Sequence, residues 1–166
     1  VLHATGDVVG VLHSDDCFFS NDILSDVARI FTDLPQLEIL YGNAVMYDFS
    51  DSDQAVRFYS GKRFNPWKLR FGFMPPHTAT FVRKSVFERF GAYKHDYLSA
   101  GDFEFFVRIF WNDSVSYMFE NKTFVKMHLG GMSSSGFESY KRTSFEFLRA
   151  LNENGIYSNL FFVLLR

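Results

Sequence analysis

The chain has 166 residues, 47% hydrophobic and 22% charged, with 17 Lys and Arg against 19 Asp and Glu and a net charge of -2. That composition excludes collagen, coiled coil and disorder, and supplies enough apolar material for the core of a single domain over 1–166. It gives no bulk electrostatic drive toward nucleic acid or an anionic membrane. Cys17 is the lone cysteine, so there is neither an internal disulfide nor a cysteine zinc site, which fits a reducing compartment.

In chain order, Asp7 to His13 is almost continuously apolar, the pattern of a central strand buried on both faces of a mostly parallel sheet. It ends in Ser14-Asp15-Asp16. Ser20 is placed to cap a helix running to about Asp33, with Ile23, Leu24, Val27, Ala28, Ile30 and Phe31 at helical spacing. Leu37 to Tyr47 reads as a strand broken at Gly42-Asn43, Asp48 to Asp53 as a polar loop, and Val56 to Tyr59 as a short returning strand. Lys62 to Phe73 is basic and aromatic without a period, an irregular loop with a helical turn near Trp67. Pro75-Pro76 stiffens the entry to a strand at Thr78–Val82. A short helix over Lys84–Phe90 stops at Gly91. Asp102–Trp111 predicts a helix with Phe103, Phe106, Val107 and Phe110 on one face. Val115–Lys126 is rich in β-branched and aromatic residues and reads as strand. Gly130–Gly136 is flexible, and Phe137–Asn154 is an amphipathic helix ending at Gly155. The run Leu160 to Leu165 has six residues, against roughly 20 for a membrane span. Strands and helices alternate, so the fold class is α/β.

Asp15 and Asp16 sit where a buried strand emerges. Open α/β sheets bind ligands outside the carboxyl ends of their strands, and two adjacent carboxylates there suit a hard divalent cation that also holds phosphate oxygens. The alternative is a loop with Asx-type hydrogen bonds feeding the next helix.

The surrounding residues carry a resemblance. Ala4-x-Gly6-Asp7-x-x-Gly10-x-Leu12-x-Ser14-Asp15-Asp16 resembles the central segment of the family 2 glycosyltransferases, which have the GT-A fold. Three further segments follow in the family's order. Met74-Pro75-x-His77-x-x-x-Phe81-Val82-Arg83-Lys84, ending at Phe90-Gly91, resembles the stretch before the catalytic region. Ala100-Gly101-Asp102-Phe103-Glu104-Phe105 with Arg108 resembles its acidic helix start. Gly130-Gly131-Met132-Ser133 resembles a late loop of bacterial members.

The resemblance implies a partial GT-A-like mixed sheet flanked by helices. It also implies an inverting transfer of a sugar from a nucleotide-sugar donor to the hydroxyl of a sugar or lipid-linked acceptor, in polysaccharide biosynthesis. Matched residue by residue, Asp16 would bind the metal, Mn²⁺ or Mg²⁺, that bridges the diphosphate. Asp15 would contact the nucleotide ribose or help the metal site. Asp102 would be the general base, with Glu104 as its rival. The family often carries an acidic residue just before the base, where this chain has Gly101. His77 is placed for the acceptor site or for packing, and His128 for the late histidine that some GT-A enzymes use on the metal. Arg108 is expected to pair with a carboxylate and hold its helix. The implied location is cytoplasmic, with the inner membrane face as the alternative.

The family's opening strands, which carry much of the nucleotide pocket, have no counterpart before Asp15. The chain therefore reads as the metal-motif and acceptor half, with the N-terminal nucleotide-binding half missing. The expectation for the isolated chain is weak donor binding, no measurable transfer, and self-association, most simply as a homodimer. A catalytically inactive interaction module is the alternative function.

Overall fold

Periodicity in the sequence becomes a mixed α/β fold: a mixed sheet with helices against it. The computed structural model describes every residue except 2, 49–53 and 129–135. The loop predicted beyond Asp48, the flexible glycine-rich stretch and the Gly130–Ser133 resemblance thus lie outside the described residues. The chain divides into two compact units, each built from separate segments. The first takes Val1–Arg63, Pro75–Phe87 and Ser114–Leu129; the second takes Phe64–Met74, Glu88–Asp113 and Gly130–Arg166.

The first unit holds the sheet. Its strands are β1 (Val8–Gly10), β2 (Cys17–Phe18), β3 (Ile39–Asp48), β4 (Gln54–Tyr59), β5 (Thr80–Arg83) and β6 (Tyr117–His128). They run in the order β1-β5-β3-β6-β2, with β4 pairing β3. Only β3 and β6 are parallel among the described pairs. Helix α1 (Ile23–Asp33) lies on this sheet because Ile23, Val27 and Phe31 repeat every four residues. All three are buried, in one core with Leu40, Ala44, Phe81, Phe124 and Val125, each contributing about 1.5–3 kcal/mol of apolar burial. The helix begins later than Ser20 suggests. Its N-cap is Asp22, and Ser20 instead offers its carbonyl to the Ile23 N–H in the preceding turn. Its far end is held by Arg83, whose guanidinium donates to the carbonyls of Phe31, Leu34 and Leu37 at 2.8, 3.4 and 2.6 Å.

Two sequence expectations need correction. The first strand is not central. β1 stands at one end of the strand order and pairs antiparallel with β5, Val8 opposite Arg83 and Gly10 opposite Phe81. Its apolar run is only partly buried: within β1 Val9 alone is buried, and Leu12 beyond it is 40% exposed. Nor does Gly42-Asn43 break β3. The strand is continuous and shifts register against β6 there. Gly42 lets the Lys122 carbonyl approach to where a Cβ would be 2.7 Å away. Asn43, buried, accepts from the Ser60 hydroxyl and the Gly61 N–H, both at 3.1 Å.

Helix α2 (Lys84–Phe90) stops at Gly91, which takes φ 85°. In the second unit a 3₁₀ turn occupies Pro66–Phe71, as the Trp67 region suggested. Helix α3 (Gly101–Phe110) is buried on nearly every side, including Glu104, Phe105 and Ile109 beside the apolar face predicted from sequence. Helix α4 (Gly136–Glu153) packs on α3, and α5 (Leu160–Val163) is one short turn. No helix among the described residues is long and apolar enough to cross a membrane.

Candidate active site

The acidic pair lies between β1 and β2. β2 pairs antiparallel with β6, Cys17 opposite Lys126 and Phe18 opposite Val125. One residue earlier, Asp16 therefore reaches the backbone of His128, whose N–H donates to Oδ1 at 3.3 Å. A tight turn, Asp16 N–H to the His13 carbonyl at 3.1 Å, folds the preceding loop back. The turn brings His13 Nδ1 to 3.6 Å from Asp16 Oδ2. The His13 ring also faces that of His77, with centroids 5.9 Å apart. Asp15 is exposed, whereas only 4% of the Asp16 side chain is accessible.

Asp16 is electrostatically incomplete. Its Oδ2 is buried and has no hydrogen-bond partner among the described residues. Burial pushes its carboxyl above the usual carboxylate range. The His128 N–H and the charges of His13 and His128 act against the rise, and Asp15 adds to it. A carboxylate so placed gains from a cation at the oxygen that lacks a hydrogen bond, the one His13 approaches at 3.6 Å. The fit is partial, because no group of three or more His, Cys, Asp or Glu among the described residues is disposed around one metal position. Oxygen ligands from a bound phosphate and from water would have to complete the shell. Asp16, with Asp15 beside it in sequence, is the pair that could offer oxygen donors to such a cation. His128 meets Asp16 through its backbone.

Asp102 belongs to the second unit, at the second residue of α3, where its charge favours the helix dipole. It is half-buried, and its Oδ1 accepts the Phe103 N–H at 2.8 Å. The Tyr93 hydroxyl lies in its field: burial raises that phenol's pKa and the Asp102 charge adds to the rise.

Glu104, the rival base, is committed elsewhere. It is fully buried, and Arg108 grips both its oxygens, Nε to Oε1 at 3.0 Å and Nη2 to Oε2 at 2.8 Å. Lys94 lies 3.1 Å from Oε1. Burial alone would raise the Glu104 pKa, but the hydrogen bonds and charges of Arg108 and Lys94 outweigh it and hold the carboxyl below its ordinary range. Arg108 goes on to bind the carbonyls of Phe90, Gly91 and Ala92, the structural role expected of it.

No family model matches the chain. Over 112 residues, 68% of its length, the chain is 28% identical to the PGL/p-HBAD biosynthesis glycosyltransferases of Mycobacterium bovis (strain BCG) and Mycobacterium tuberculosis (strain H37Ra). The likeness is to glycosyltransferases. It extends over 41% of those proteins, so the chain spans well under half the length of the curated relatives it matches.

The sequence motifs mark Asp15, Asp16 and Asp102 and give His13 no role. Its signal was the three-residue step to Asp16, which a turn converts into contact.

Proposed function

We propose that the chain is the metal-motif and acceptor part of a family 2, GT-A-type glycosyltransferase that transfers a sugar from a nucleotide-sugar with inversion. The observation that carries the reading is the orphaned buried oxygen of Asp16, beside exposed Asp15, in a chain whose relatives are named glycosyltransferases. A divalent cation at Asp16, Mn²⁺ or Mg²⁺, would supply charge neutralisation on the donor's diphosphate. Asp15 is available to the ribose or to the same cation. Asp102 accepts the proton of the acceptor hydroxyl as that oxygen bonds to the anomeric carbon. The bond from that carbon to the diphosphate oxygen breaks, and its electron pair leaves with the nucleoside diphosphate. Half-burial keeps Asp102 accessible to a hydroxyl, and its hydrogen bond from the Phe103 N–H falls on Oδ1, so that among the described residues Oδ2 is left to receive the proton.

The acceptor is a sugar or lipid-linked hydroxyl in polysaccharide or glycolipid assembly. Self-association belongs to the same reading, since β1 lies at the end of the described sheet.

The test is calorimetric titration with UDP-glucose, GDP-mannose and dTDP-rhamnose, each with and without Mn²⁺. It is run on the full-length protein and its Asp16→Asn and Asp102→Asn variants, alongside measurement of nucleoside diphosphate release. Asp16→Asn is expected to lose the Mn²⁺-dependent part of binding. Asp102→Asn is expected to keep binding and lose turnover. Mn²⁺-dependent binding that survives Asp16→Asn overturns the metal assignment.

A further inference from the structure

Helix α3 begins without a cap of its own. Its N-cap residue is Ala100, which has no side-chain oxygen to offer the first free N–H groups. A carboxylate from another helix instead ties down the three residues that lead into it. Glu146, in the middle of α4, accepts from Leu98 N at 3.0 Å on Oε1, and from Ser99 N and Ala100 N, both at 2.8 Å, on Oε2. These are short, charge-assisted bonds to three consecutive backbone donors, at the helix end whose dipole favours an anion. The next residue of α4, Phe147, stacks on Phe103 with ring centroids 3.7 Å apart and planes 4° apart. Two adjacent residues of α4 thus hold the lead-in to α3 at 98–100 and the ring of Phe103, which follows Asp102.

We infer that Glu146 is a positioning residue: it sets the first turn of α3, and with it the Asp102 carboxylate, for proton transfer from the acceptor. The inference rests on the reading of Asp102 as the base. It does not depend on how the donor or the cation binds. Among the described residues, the hydrogen bond shown for the Asp102 carboxylate is the one it accepts from the neighbouring Phe103 N–H, so its direction follows the backbone of that turn. A base displaced by about 1 Å loses on the order of 100-fold in rate, whereas substrate affinity set by other residues is left as it was. Glu146 is itself half-buried, with both oxygens engaged in the 98–100 backbone, so it is a positioning group and not a second base.

The experiment compares Glu146→Gln, Glu146→Ala and Asp102→Asn with the parent by two readouts. The first is amide hydrogen exchange, which needs no substrate. Glu146→Gln keeps the size of the side chain but turns an NH₂ toward backbone donors. It should speed exchange at Leu98–Phe103 by tenfold or more while the α4 amides keep their protection. The second is steady-state kinetics with the nucleotide-sugar found to bind, where kcat should fall 10- to 100-fold with KM for the donor unchanged. Unchanged exchange at 98–103 in both Glu146 variants overturns the inference. So does an unchanged kcat in Glu146→Gln when Asp102→Asn has abolished turnover, or a rise in KM alone. Full turnover in Asp102→Asn overturns instead the assignment of the base, and the exchange data then still decide whether Glu146 anchors this turn.

Discussion

Phe147 lies flat against Phe103, and the Arg166 guanidinium covers the opposite face of the Phe147 ring at 4.5 Å from its centroid. A face-to-face ring pair is not the arrangement that aromatic quadrupoles prefer, so the cation on the outer face and the surrounding burial hold it in place. Phe103 is fully buried and Phe147 nearly so.

Phe147→Ala should therefore cost about 3–5 kcal/mol, the usual cost of emptying a large buried aromatic site. Phe147→Leu should cost markedly less. Urea unfolding followed by tryptophan fluorescence gives both values. Equal midpoints for Phe147→Ala and the parent would show that the stack carries no stability.

Replacing Glu104 by Gln should destabilise the protein by about 3 kcal/mol, near the lower end for a broken buried ion pair, because Lys94 is 39% exposed. It should also flatten the acid limb. Glu104 is held below its ordinary pKa, and Glu153, bound by Lys94, Arg149 and Tyr97, is held down to about 2. Stability from such depressed carboxylates is complete above their unfolded values, near 4.5, and is lost as pH falls through the folded ones. Between pH 4.5 and about 2 the Glu104→Gln variant should lose less stability than the parent, measured by thermal melts at closely spaced pH.

Asp16 has the opposite sign. Its folded pKa is raised above 3.8 by burial, so its ionised form weakens the fold as pH rises through the window above 3.8. Asp16→Asn should raise Tm at pH 7. The gain should vanish at pH values below 3.8, where Asp16 is protonated in both states. A variant that melts lower than the parent at pH 7 would show that the carboxylate contributes to folding.

Gly61→Ala should destabilise by about 1–3 kcal/mol. A Cβ there would come within 2.7 Å of the Gly42 carbonyl and 2.9 Å of the Tyr41 ring. The carbonyl belongs to β3 and cannot swing aside as a side chain would. Gly155→Ala meets nothing within 4 Å but sits at φ 70°, and its smaller loss, about 1 kcal/mol, is the control for backbone strain without collision.

Much of this architecture was legible in the residues. The four-residue spacing of Ile23, Val27 and Phe31 gave α1 its buried face, and Gly91 and Gly155 marked the ends of α2 and α4 through their left-handed backbone. What stayed hidden depends on partners distant in sequence. Nothing local shows that Glu104 is buried, because Lys94 and Arg108 neutralise it from a loop and a neighbouring turn. Gly42 reads as a breaker, yet it serves the approach of a second strand whose carbonyl lies at Lys122. The place of β1 at the end of the sheet is not legible, because an apolar run shows neither how many strands pair with it nor how much of it is covered: of Val8–Gly10 only Val9 is buried. At the candidate site the Asp15-Asp16 pair was visible as a motif. The orphaned Oδ2 was not, since it arises from the fold of β2 against β6.

The parallel pairing of β3 with β6 has a consequence for synthesis. Glu38 and Ser116, which hydrogen-bond at the head of that pairing, are 78 residues apart, and α1 and β3 are made before β5 and β6. At 5–20 residues per second, β3 leaves the ribosome roughly 4–16 s before its parallel partner exists. Its apolar edge, with Ile39 and Leu40 among the least accessible residues of the finished fold, stays uncovered through that interval. Neither unit can close early, because each draws on segments from beyond residue 113. The nascent chain is thus a natural client for a chaperone that shields hydrophobic strands, and codon choices that slow translation between β3 and β6 would lengthen the exposure.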